Sequence, residues 1–158
     1  MLGMASLIGT TATVVFLMIP LMLPPVWAAL GGPAGTVERD RVMMKGQRQS
    51  RGGVGYSVDT ITAAGMQVKE YISPDGTVFA VVWKGTGIPD LRLLLGEYFD
   101  DYRTGLNESR RRTPRVRGPF RMKNDRLVIE RVGHSRSLWG RAYLPSHVPT
   151  GMKPEDIQ

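Results

Sequence analysis

Cysteine is absent from this chain of 158 residues. Disulfides, thiolate nucleophiles and cysteine metal centres are therefore excluded, and stability has to come from packing and hydrogen bonds. Histidine occurs only as His134 and His147. A metal centre would need both of them plus carboxylates brought together by folding, and His147 lies in a proline-rich tail, so neither metal nor cofactor is expected. No Gly-x-Ser-x-Gly elbow is present, and Gly85-Thr86-Gly87 lacks the lysine and spacing of a phosphate loop. No internal repeat is found.

The most uneven absence is that of charge. The first 37 residues carry no ionisable side chain and give way abruptly to Glu38-Arg39-Asp40-Arg41. Within that start, Val14 to Leu23 is an apolar core of signal-peptide length, followed by Pro24-Pro25 and the small-residue site Val26-Trp27-Ala28-Ala29. The expectation is an export signal, residues 1–28, cleaved near Ala28 to give a periplasmic or secreted protein. The alternative is a retained N-terminal membrane anchor, since about 20 apolar residues suffice to span a bilayer. Pro20, Pro24 and Pro25 shorten any such helix.

What remains is one modest domain with the whole of the +7 formal charge. Residues 29–55 read as a lead-in, in which Gly31 to Gly35 is flexible, Thr36-Val37-Glu38-Arg39 starts a short helix to about Lys45, and Gln47 to Gly55 is a mobile loop. From Tyr56 the period becomes two. Tyr56 to Thr62, Met66 to Ile72 and Thr77 to Trp83 form a three-stranded meander, its turns at Ala63-Ala64-Gly65 and Ser73-Pro74-Asp75-Gly76. Six consecutive apolar residues, Val78 to Trp83, place the third strand in the middle of a sheet covered on both sides. After Gly87-Ile88-Pro89-Asp90, the residues Leu91, Leu94, Leu95, Tyr98 and Tyr102 make one helical stripe that Gly105 should end. Arg126 to Val132 and Arg136 to Leu144 then form a hairpin around Gly133-His134-Ser135, and residues 146–158 an extended tail. The predicted fold is α+β: residues 56–145 form an antiparallel sheet of about five strands covered by one long helix, with a short N-terminal helix before it.

Val68-Lys69-Glu70-Tyr71, Ser73-Pro74, Gly76, Val78 to Val81 and Trp83, with Pro89-Asp90-Leu91, Leu94-Leu95-Gly96 and Tyr98-Phe99, resemble a family of exported bacterial proteins catalogued as domain of unknown function 2844. Gly133-His134, Arg136 and Gly140-Arg141-Ala142-Tyr143-Leu144-Pro145 resemble that family's C-terminal motif. The resemblance covers nearly all of the chain from Ala29. It implies an exported envelope protein and supplies no catalytic residue.

Two functional classes follow from the residues. The first is a non-catalytic binding module whose basic positions, Arg110, Arg111, Arg112, Arg115 and Arg117, with His134, Arg136 and Arg141, contact an envelope protein, an anionic lipid or an acidic polymer, with peripheral membrane contact. Export argues against nucleic acid. The second is a periplasmic enzyme using His134 with Glu97 or Asp101, the two acids standing one helical turn apart.

Overall fold

The computed structural model describes residues 30–112, 119–134 and 137–158; the expected export segment lies outside them. Its frame is a seven-stranded antiparallel sheet in the spatial order β1-β2-β3-β4-β7-β6-β5. The strands are β1 (Gln47–Gly53), β2 (Tyr56–Ala63), β3 (Met66–Ile72), β4 (Val78–Gly85), β5 (Phe120–Lys123), β6 (Val128–His134) and β7 (Ser137–Tyr143). The helices are α1 (Val37–Met44), α2 (Leu91–Leu95) and α3 (Phe99–Arg112). No helix of the described residues is long and apolar enough to cross a membrane.

The α+β class stands, and so do the meander and the closing hairpin. At the β2–β3 reversal both Ala64 and Gly65 take positive φ, 46° and 79°. That pair of left-handed residues matches the right-handed twist of the strands it joins. The third strand is central as expected, with Val78 to Trp83 all buried. One face packs Ile61, Val68, Val81 and Trp83 against Leu91, Leu94, Leu95 and Tyr102 from the helices. The other packs Tyr71, Ala80, Val82 and Tyr143 against Ile157 of the tail. Register slips between Tyr71 and Ile72, which oppose Ala80 and Val78, so Phe79 is an extra residue on β4. Phe79 and Ala80 consequently both join the tail-side core.

Seven strands stand where about five were expected, and both additions are edge strands. Gln47 to Gly53 has no apolar side chain and is exposed throughout, yet pairs with β2 along its whole length. Backbone pairing and polar contacts to Asp59, rather than burial, hold it there. Phe120 to Lys123 is a short strand hidden inside the arginine-rich run, burying Phe120 and half-burying Met122.

The long helix is interrupted at Gly96 (φ 50°), so α2 ends there and a 3₁₀ turn, Gly96–Tyr98, leads into α3. Gly105, expected as a terminator, lies inside α3. Its missing side chain lets the helix settle on Met122, whose sulfur would overlap any Cβ at that position. The lead-in expected to be flexible is tied to α2 and to the sheet: Leu30 N–H donates to Leu94 O (3.0 Å), Gly31 N–H to Val78 O (2.7 Å) and Val78 N–H to Gly32 O (2.9 Å). The tail forms two 3₁₀ turns, Pro145–His147 and Pro154–Asp156, and is a lid on the sheet rather than a free extension.

Candidate functional site

The basic residues separate into free and committed groups. Arg110, Arg111 and Arg112 are exposed in the last turn of α3, where their charge complements the helix dipole. No ion pair among the described residues involves them. Arg115, Arg117 and Arg136 lie outside the described residues, and His134 closes β6 in register with Ser137. Arg141 is internal to the fold. Its guanidinium contacts Glu130 at 3.0 Å and donates to Pro154 O (2.6 Å) and Ile157 O (3.2 Å), fastening the tail to the sheet. Arg121, three-quarters exposed, pairs with the same Glu130 at 3.0 Å.

The two acids proposed for catalysis both act on the Tyr98 hydroxyl. Glu97 is exposed in the 3₁₀ turn beside the Tyr98 hydroxyl, while Asp101 is held by Arg126 at 3.4 Å, a cation that also covers the Tyr98 ring at 5.4 Å. His147 Nδ1 lies 3.0 Å from Ser146 Oγ on the surface. No ion pair or hydrogen bond among the described residues joins it to a carboxylate. Among the described residues no group of three His, Cys, Asp or Glu is arranged to hold a metal ion.

The structure's most perturbed group was not singled out from the sequence. Asp59 on β2 and Glu70 on β3 are cross-strand partners on the helix side of the sheet, and Asp40 of α1 comes down on them; all three are buried. Arg48 Nη2 donates to Asp59 Oδ2 at 2.7 Å, Ser50 Oγ donates to Asp59 Oδ1, and Arg48 also approaches Glu38 at 3.7 Å. Burial first, then the Asp40 carboxylate and the hydrogen bond to it, push the Glu70 carboxyl from 4.5 up to about 9; Asp59 adds to this and Arg48 opposes it. Glu70 is therefore neutral at physiological pH and shares its proton with Asp40. The arrangement is a buried carboxyl cluster that joins α1, β1, β2 and β3, with one oxygen of Asp40 and one of Glu70 left without a hydrogen-bond partner. One signal was available in the alternation of β2, where Asp59 has the phase of the buried Ile61.

A groove of about 280 Å³ lies at the C-terminal end of α1. Met43, Met44, Ala63, Met66, Pro89 and Leu93 line it, drawn from the end of α1, the β2–β3 turn and the start of α2. Gly46 places the end of α1 against β2, since a Cβ there would run into Ile61, Thr62 O and Ala63. The one carboxylate in the wall, Asp90, caps α2 by accepting from Arg92 N–H (2.9 Å) and Leu93 N–H (3.2 Å).

This is a small α+β protein with an antiparallel sheet sealed by helices on one face and by its C-terminal segment on the other. The family model described as "Protein of unknown function (DUF2844)" matches residues 26–157, and the chain belongs to that family. No curated protein and no solved structure matches it.

Proposed function

We propose that the protein is an exported, non-catalytic binding module of the bacterial envelope whose basic surface engages an anionic partner: lipid head groups, an acidic polymer or an acidic face of an envelope protein. The observation that carries this reading is the exposed Arg110-Arg111-Arg112 end of α3, which meets no carboxylate among the described ion pairs while Arg121, Arg126 and Arg141 all do. Three cations near an anionic surface at about 1 kcal/mol each correspond to roughly a hundredfold in affinity. The test is cosedimentation with phosphatidylglycerol vesicles. Binding should weaken with salt and fall by about that factor when Arg110, Arg111 and Arg112 are replaced by alanine. Equal binding by parent and variant refutes the assignment. Export is tested separately by the intact mass in separated cell fractions: a periplasmic species beginning at Ala29 supports it, and an uncleaved cytosolic species removes it.

A further inference from the structure

We propose that the uncovered part of the tail-side sheet face binds an acidic sugar, its anionic group between Lys69 and Lys84 and its ring against Trp139. Strand register brings these residues together. Gln67 on β3 stands opposite Lys84 on β4, and Lys84 opposite Trp139 on β7; in the next row Lys69 stands opposite Val82. With Gln158 of the tail they line a concavity of about 40 Å³. Val82 is buried in the same cluster as Ile157, whereas Lys69 and Trp139 are half-buried and Gln67 and Lys84 are exposed. This surface is distinct from the arginine end of α3, and the inference does not depend on that end binding anything.

The lining itself selects the ligand. Both of its charged side chains are cations, and no Asp or Glu belongs to it. Lys84 enters no ion pair among the described residues, and Lys69 donates to Gln158 O (2.9 Å), which leaves two of its three ammonium donors. Glu130, in register with Arg141 of the inner row, is held by Arg121 and Arg141. β3, β4 and β7 each have a strand on both sides, so their backbone groups are paired within the sheet and offer nothing to an added peptide strand. A hollow of this size takes one functional group and excludes an alkyl chain. A sugar acid meets all of these conditions. Its carboxylate or phosphate forms charge-assisted hydrogen bonds with the ammonium groups, its hydroxyls meet the Gln67 amide, which both donates and accepts, and the C–H face of its ring packs on the indole. The Arg141 guanidinium, 5.7 Å from the Trp139 ring centre, steadies that ring. Uronate and sugar phosphate share this chemistry.

Calorimetric titration of the full chain with trigalacturonate, glucose 1-phosphate, maltotriose and inorganic phosphate tests the assignment and separates the two anionic groups. The expected result is saturable binding of at least one sugar acid with a dissociation constant below about 10 mM, neutral maltotriose and inorganic phosphate each being weaker by roughly tenfold or more. Lys84→Gln, at an exposed position, and Trp139→Phe should each weaken that sugar acid several-fold and leave the far-ultraviolet circular dichroism unchanged. The alanine variant of Arg110, Arg111 and Arg112 should bind it as the parent does. Failure of both sugar acids to bind, maltotriose binding as tightly as they do, or insensitivity to both Lys84→Gln and Trp139→Phe would overturn the proposal. So would inorganic phosphate binding as tightly as the sugar acids, which would leave an anion site only, or loss of binding in the triple arginine variant, which would assign the ligand to α3 instead.

Discussion

Replacing Glu70 by glutamine should make this protein more stable, increasingly so as the pH rises. The carboxyl is 2% exposed and faces Asp40 and Asp59, with Arg48 as the nearest opposing cation. Its folded value of about 9 lies above the ordinary 4.5, so the folded state holds the proton more tightly than the unfolded one. Between those two values the unfolded chain carries fewer protons, and stability therefore falls as pH rises. The favourable contribution is complete below about pH 4.5 and is lost progressively up to about pH 9. At about 1.4 kcal/mol per unit, the loss is on the order of 3 kcal/mol at pH 7 and 6 kcal/mol above pH 9.

Glutamine has the shape of the protonated acid and an N–H to donate to Asp40, but it does not titrate. Urea unfolding followed by tryptophan fluorescence at pH 5, 7 and 9 measures the difference between the two proteins. The two should agree within about 1 kcal/mol at pH 5, after which the Glu70→Gln variant should pull ahead by a few kcal/mol at pH 7 and more at pH 9. Stability profiles that run parallel across this range would show that Glu70 is ionised in the folded state, and the account of the cluster would fail.

Three further outcomes follow from the packing. Gly140→Ala places a methyl group in the Trp83 indole ring, so thermal denaturation should show a loss of about 1–3 kcal/mol and near-ultraviolet circular dichroism a displaced tryptophan. Ile157→Ala should cost about 2–5 kcal/mol in urea unfolding, since this side chain is fully buried; a surface tail would lose almost nothing. Asp90→Ala removes the cap of α2 and should cost about 1 kcal/mol by the same measurement.

The central strands were legible because β2 alternates, β4 is an unbroken apolar run and their turns carry glycine where φ is positive, as at Gly65 and Gly76. β1 was not, because Gln47 to Gly53 contains no residue that burial would reward; it is a strand only in the presence of β2. β5 left a trace in the alternation of Phe120 and Met122 with Arg121 and Lys123, masked by the arginines on either side. Gly105 shows the ambiguity of glycine in a helix, since a terminator and a close-approach residue look the same until Met122 is seen beneath it. The carboxyl cluster was half legible. Asp59 and Glu70 sit in meander strands whose pairing follows from the turn, but Asp40 reaches them only through the docking of α1.

The motif from Gly140 to Leu144 is spent almost entirely on architecture, and that redirects the search for function. Gly140 admits the Trp83 ring from the neighbouring strand, and Ala142 and Leu144 join the helix-side core. Tyr143 joins the tail-side core, and Arg141 holds Glu130 and two tail carbonyls at once. Replacing Arg141 would therefore disturb binding by loosening the tail, whatever the ligand, so a loss of binding in that variant does not identify a contact. Arg110 to Arg112 are the informative positions: each is exposed, none takes part in an ion pair among the described residues, and each can change without opening a cavity. An effect on binding at these positions reports on the surface itself, whereas an effect at Arg141 has first to be separated from unfolding.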